Sequence, residues 1–173
     1  QAVAFRGGAA VLLSPLHAPA PTTPQETSPY YPSSRRWLNP MLVPLDGASP
    51  VANDAGGLID RNSTWPARRR ALAERFTRAV DGPEWRTWAE QQGADLQQFC
   101  SWNALAERLG PRWTQWPGDF RHPDSAALSQ LPAQDAHFAT ACDFHAWLQW
   151  LTTRTLERTA AAAIADEALV DAV

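Results

Sequence analysis

The chain has 173 residues, of which 45% are hydrophobic and 19% charged, with 15 prolines; this is the composition of one ordered domain with long loops, not of a disordered tail. A formal net charge of −3 and a pI near 5.8 exclude the overall basic field that a phosphate backbone requires, so nucleic acid is not the expected partner. No run approaches the roughly 20 apolar residues of a membrane span, and Cys100 and Cys142 are too far apart for a metal or disulfide framework, which leaves free thiols of a reducing compartment.

The chain opens on glutamine, and its first residues read like the interior of a domain, so an internal piece of a longer protein is expected. A signal peptide built on Arg6, the apolar Ala9 to Leu13 and the Ala-Pro-Ala at Ala18 to Ala20 falls short of the roughly 7 to 15 apolar residues required. Ala9 to Leu16, continuously apolar after Gly7 and Gly8, predicts a strand buried on both faces of a parallel sheet. From His17 to Asp60 the chain reads as loop, with a short extended piece at Met41 to Leu45, and loops of this length are commonly functional.

Within that loop, Ser28 to Leu45 concentrates hydroxyls, tyrosines, arginines, a tryptophan and an asparagine between Pro29, Pro32, Pro40 and Pro44. Each proline fixes its own φ and biases its predecessor toward extended geometry, so the polar groups sit on a stiffened loop suited to binding. Arg35 and Arg36 beside Trp37 can hold a carboxylate or donate to hydroxyls, and either use rigidifies the loop.

Helices follow. Ser63 and Thr64 are candidate caps for a helix with Pro66 in its first turn and Leu72, Phe76, Ala79 and Val80 on its apolar face. A second helix is predicted from Pro83 to Gln92 with Gly93 as its stop, and a third from Asp95 to Leu109 before Gly110 and Pro111. Trp113 and Trp116 fall on a short turn, a short helix is expected around Ser125 to Gln130, and the longest helix is expected to begin near Pro132. Its apolar side comprises Phe138, Ala141, Phe144, Leu148 and Leu151, and Glu167 to Val173 alternates enough to predict a final strand. The order strand, loop, helices, strand fits a βαβ unit with a helical insertion.

No serine sits on a glycine-flanked elbow, and the four histidines lack metal-ligand spacing. His17 alone has a case for lining a pocket, because it follows the first predicted strand at the end where α/β folds place ligands. Glu26 and Asp46 flank the loop as a conceivable acid and base, but solvated loop acids are the plainer reading. Arg68, Arg69 and Arg70 read as a solvated helix face. Nine tryptophans either fill aromatic clusters or offer rings to a ligand such as a sugar, and those on the helices recur with the apolar face.

Three ordered segments resemble the 4-α-glucanotransferases, also called amylomaltases or disproportionating enzymes. Ser28, Pro29, Tyr30, Ser34, Asn39 and Pro40 match S-P-Y-x-x-x-S followed by N-P. Trp113, Trp116, Pro117 and Arg121 match W-x-x-W-P-x-x-x-R, and Phe144, His145, Trp147, Gln149 and Trp150 match F-H-x-[aromatic]-x-Q-W.

The resemblance implies an α/β fold: part of a TIM (β/α)8 barrel of the α-amylase type, the piece itself mostly α-helical with one or two strands. It implies retaining transfer of α-1,4-glucan segments between maltooligosaccharides, in the cytoplasm, with no cofactor and no metal. The catalytic carboxylates are expected outside this chain, so the piece alone is expected to be inactive and to expose apolar faces. By similarity Tyr30 stacks on a glucose ring and Ser28 bonds a sugar hydroxyl, with Ser34, Asn39 and His17 as further substrate contacts. Residues 1–60 are expected to carry a barrel strand and this loop, residues 61–131 a helical insertion, and residues 132–173 a barrel helix and the start of the next strand.

The chain departs from the family pattern at Arg35, Arg36, Trp37 and Leu38, where small residues are usual, and at Gln98, where aspartate is usual. The rival readings are a Trp-rich α-glucan-binding module without chemistry and an arginine-rich nucleic-acid adaptor, whose binding would fall steeply with salt. The oligomeric state is not fixed by any motif.

Overall fold

The computed structural model describes residues 13–45 and 60–170, with side chains as far as 163. The described residues are mostly helical, with one two-stranded sheet, in the order β1 (His17–Ala18), β2 (Ser34–Leu38), α1 (Arg61–Ala79), α2 (Pro83–Gln92), α3 (Ala94–Leu109), α4 (Ala126–Gln134) and α5 (Ala136–Val170). Single 3-10 turns occupy Pro40–Leu42, Trp113–Gln115 and Gly118–Phe120.

The expected strand at Ala9 to Leu16 lies mainly outside the described residues; of its described part, residues 13–16 are irregular and Leu13 is exposed. The strand that does form is β1, and it pairs antiparallel with β2 in the register His17 to Leu38 and Ala18 to Ser34. The predicted loop therefore folds back on its own beginning. Of the extended piece expected at Met41 to Leu45, the first two residues instead belong to a 3-10 turn and Val43 is extended; the turn is capped by the Asn39 side chain, which accepts from the Met41 N–H at 2.9 Å. Asn39 is suited to this because its short side chain reaches an amide two residues ahead.

Helix α1 starts a turn earlier than Ser63 and Thr64 would place it. The Asp60 carboxylate accepts from the N–H groups of Asn62 and Ser63 at 3.0 and 3.1 Å and from the Ser63 hydroxyl at 2.6 Å, and these bonds lower its pKa. Such a cap satisfies orphan donors that a hydroxyl within the first turn would leave open. Gly93 serves α2 and α3 together, at φ +67° and ψ −150°, a conformation in which a side chain is strongly disfavoured.

The predicted start of the long helix at Pro132 is also displaced. Pro132 lies inside α4, and the break falls at Asp135, whose carboxylate accepts from the Phe138 N–H at 3.0 Å and pairs with Arg108 at 2.8 Å. From there α5 runs unbroken to Val170, so Glu167 to Val170 are helical and not the expected strand; residues 171–173 lie outside the described residues. The alanine run has the highest helix propensity available and carries the helix past the alternating pattern.

Helix α5 is the axis on which the others pack. Phe144, Trp147, Leu148 and Leu151 meet Leu72 and Phe76 of α1, Trp85 of α2, and Leu96 and Cys100 of α3, together with Val43 from the loop. A second cluster joins Ala104, Leu105 and Ala106 of α3 to Trp116, to Leu128 of α4 and to Phe138 of α5.

Two of the three consecutive arginines face inward, against the solvated-face expectation. Arg68 is buried and its guanidinium donates to the Val43 carbonyl. Arg69 grips Glu107 of α3 with two bonds of 2.6 and 2.7 Å, and its guanidinium lies 5.1 Å from the centre of the Phe144 ring. His145 Nε2 of α5 stands 3.6 Å from Glu107, beyond hydrogen-bond length but close enough for attraction when the imidazole is protonated. Burial alone would raise the Glu107 pKa; the Arg69 bonds and the neighbouring His145 overcome it and bring the carboxyl down to about 2. Only Arg70 remains fully exposed among the three.

Two predictions follow from these contacts. Because Glu107 titrates at about 2 against an ordinary 4.5, its stabilisation is complete above that ordinary value and is lost as pH falls from 4.5 toward 2. Urea midpoints of Glu107→Gln should therefore lie well below the parent's at neutral pH and converge on it in that acid window; a constant gap would refute the assignment. The second concerns Gln149 of α5, whose side chain accepts from the Leu38 N–H at 2.9 Å and donates to the Leu38 carbonyl at 2.8 Å. Gln149→Leu leaves both backbone groups of Leu38 without that partner and should cost about 2 to 4 kcal/mol, read as a lower urea midpoint together with faster exchange of the Leu38 amide proton.

Candidate functional site

Sequence and local geometry converge on the segment 25–45. Its entry is tied down by Gln25, whose N–H donates to Asn62 Oδ1 at 2.7 Å and whose side-chain amide donates to the Ala20 and Thr22 carbonyls. Glu26 accepts from the Ser28 N–H at 3.0 Å, the Ser28 hydroxyl oxygen accepts from the Tyr30 N–H at 3.3 Å, and the Ser28 carbonyl accepts from the Tyr31 N–H at 3.3 Å. Pro29 supplies the fixed φ at the second position of the resulting turn. The turn projects two tyrosines into solvent, with Tyr30 67% and Tyr31 74% exposed.

The predicted site residues separate into three groups. Ser28 and Tyr30 share this turn, and the Ser28 hydroxyl, engaged there only as an acceptor, keeps its proton for a ligand. His17 and Asn39 lie at the base of the hairpin: His17 is half-buried opposite Leu38, and the Asn39 N–H donates to the Leu16 carbonyl at 2.8 Å. Asn39 Oδ1 accepts the cap bond, and its amide N–H groups are left to offer a ligand. Ser34 stands at the other end of β2, where its hydroxyl oxygen accepts from the Arg36 N–H at 3.2 Å.

The bulky residues that depart from the family pattern lie in β2, and two of them contact α3. Arg36 pairs with Asp95, in the first turn of α3, at 2.5 Å, and Trp37 packs on Phe99 with ring centres 5.6 Å apart. Gln98, the other departure, donates to Asp124 at 3.3 Å. Beside them opens a cleft of about 410 Å³, lined among others by Ser34, Trp37, Phe99, Trp102, Trp113 and Arg121.

Three residues that hold the loop were not singled out for it by the sequence. Gln149 and Arg68 fasten it from α5 and α1, and Asp95 draws in Arg36. Only Gln149 carried a signal, as a polar residue on the apolar side of a long helix. Glu26 acts as a turn acceptor, Asp46 lies outside the described residues, and no cluster of three potential metal ligands occurs among the described residues. No helix among the described residues is long and apolar enough to cross a membrane.

Comparison with known proteins agrees with the motifs. A 4-alpha-glucanotransferase of Mycobacterium bovis is 36% identical over 172 residues, covering 83% of this chain and 23% of its own length. The 4-alpha-glucanotransferases of two Mycobacterium tuberculosis strains match to the same 36% over the same shares. The chain thus spans about a quarter of the length of the curated relatives it matches, 23%. The sequence profile of glycoside hydrolase family 77, the 4-alpha-glucanotransferases, covers residues 1–170, and the chain belongs to that family.

Proposed function

We propose that the protein of which this chain forms part transfers α-1,4-glucan segments between maltooligosaccharides, and that the chain supplies sugar contacts to that reaction. The observation that carries the reading is the Ser28-Pro29-Tyr30 turn. It is held by backbone N–H groups that donate to the Glu26 carboxylate, the Ser28 hydroxyl and the Ser28 carbonyl, and it presents an exposed aromatic ring beside a hydroxyl that can still donate, within a chain of the 4-alpha-glucanotransferase family. A flat ring on a fixed turn stacks on the C–H face of a sugar, and the adjacent hydroxyl orients it. Holding the acceptor in this way favours attack by a sugar over attack by water.

Retaining transfer between glucans needs a carboxylate nucleophile and an acid/base partner at a set separation. Glu26 is occupied by the turn, and the reading assigns both roles to carboxylates elsewhere in the protein. The chain by itself is then inactive. The same reading places the chain in a (β/α)8 barrel, with residues 1–60 at the sugar-facing end, residues 61–131 as a helical insertion and residues 132–173 as a barrel helix. Ser34, Asn39 and His17 are assigned as outlying contacts, and the compartment is the cytoplasm. The relatives carry the transferase name, and a binding module without chemistry finds no support in them.

Incubating the full-length protein with maltotriose should produce both longer and shorter maltooligosaccharides, and their absence would remove the transferase reading. Tyr30→Ala should lower kcat/KM about tenfold, the equivalent of roughly 1.4 kcal/mol of lost stacking. Because Tyr30 is exposed, its unfolding midpoint should not change; an active Tyr30→Ala variant with parental kcat/KM would remove Tyr30 from the site.

A further inference from the structure

We propose that the aromatic cleft between β2, α3 and the segment 113–121 is a second α-glucan subsite, separate from the Tyr30 turn. Its volume of about 410 Å³ falls in the range of small-ligand pockets, roughly 300 to 1,000 Å³. Trp37, Phe99, Trp102 and Trp113 give it flat apolar walls. Trp102 is braced by Trp116, with ring centres 6.1 Å apart, and Trp37 by Phe99. Trp113, in contrast, is 52% exposed and belongs to neither core cluster. Among the described residues, an indole half exposed at the mouth of an aromatic cleft offers a stacking face.

The polar lining selects an uncharged, hydroxyl-rich ligand. Arg36 and Asp95 neutralise each other, and Gln98 is bonded to Asp124. Arg121 donates through Nε to the Trp116 carbonyl at 2.6 Å, which sets the plane of its guanidinium. Its terminal nitrogens have no hydrogen-bond partner among the described residues and remain available as donors. One free cation in a charge-balanced aromatic cleft is a poor phosphate site, whereas donors around stacking faces match a sugar. Tyr30 is absent from the lining, but it lies only four residues from Ser34, a span of at most about 14 Å, so one glucan chain can pass from the turn to the cleft.

The choice of an α-1,4-glucan rests on the proposed function, and the test separates the two. The full-length protein is labelled with 5-fluorotryptophan, and the Trp113 resonance is identified by its loss in Trp113→Phe. Maltoheptaose should shift that resonance saturably, cellohexaose should not, and the response should persist in Tyr30→Ala. A Trp113 signal unmoved by maltoheptaose, in a protein that disproportionates maltotriose, overturns the subsite and leaves the transferase reading intact. A saturable shift in a protein without disproportionation does the reverse. Loss of the response in Tyr30→Ala, or an equal response to cellohexaose, also overturns a separate α-glucan subsite.

Discussion

The hairpin exists because a side chain completes it. β1 contributes only His17 and Ala18, and a two-stranded pair of that length is not stable in water by itself. The Gln149 amide has a donor and an acceptor spaced like those of a peptide group, and it engages both backbone groups of Leu38. In effect the long helix lends the sheet one further peptide unit. Gln149 is 2% exposed, so these bonds form away from water, where an unmade bond is most costly. Ser34 and Asn39 stand at the two ends of the strand that this connection fixes, and Gln25, Arg68 and Asp95 hold the loop at its other points.

A second constraint acts through charge. Arg68 reaches the Val43 carbonyl just beyond the 3-10 turn, while Arg69 ties α1 to Glu107 of α3, against which His145 of α5 rests. Removing any one partner of this partly buried arrangement strands the others. Arg68 and Arg69 fall on the two flanks of the stripe formed by Trp65, Leu72 and Phe76, and Arg70 points away from it. The charge run concealed this, because a run of like residues has no periodicity to read.

What the sequence disclosed and what it hid divide along the same physical line. The bounds of α2 and the end of α3 were readable because Pro83, Gly93 and Gly110 act on their own backbone. The Ser28 turn was readable for the same reason, through Pro29. β2 was not, since Ser-Arg-Arg-Trp-Leu has no strand alternation and is held by a glutamine 111 residues away. The starts of α1 and α5 were misplaced because Asp60 and Asp135 outcompete the caps suggested by Ser63 and Pro132, each collecting two or more bonds. The aromatic cleft was invisible, because its walls come from three separate segments that only the folded chain brings together.

The tryptophans show why composition alone could not settle between core and ligand platform. Trp85 donates its indole N–H to the carbonyl of Ala79 at the end of α1, and Trp116 donates to the carbonyl of Gly110 just past the end of α3. Both lie six residues ahead of the carbonyl they cap. Terminal carbonyls of a helix have no partner within it, and a buried indole N–H needs an acceptor, so each ring satisfies a helix end while its body fills the core. This spacing links two corners of the helical region by one device, and it assigns Trp85 and Trp116 to structure. Trp147 belongs there by burial, at 1% exposure. Trp113, three residues from Trp116 in the same motif, caps no helix end and joins neither core cluster among the described residues. A single sequence motif therefore carries one tryptophan that builds the wall and one that the wall holds out to solvent.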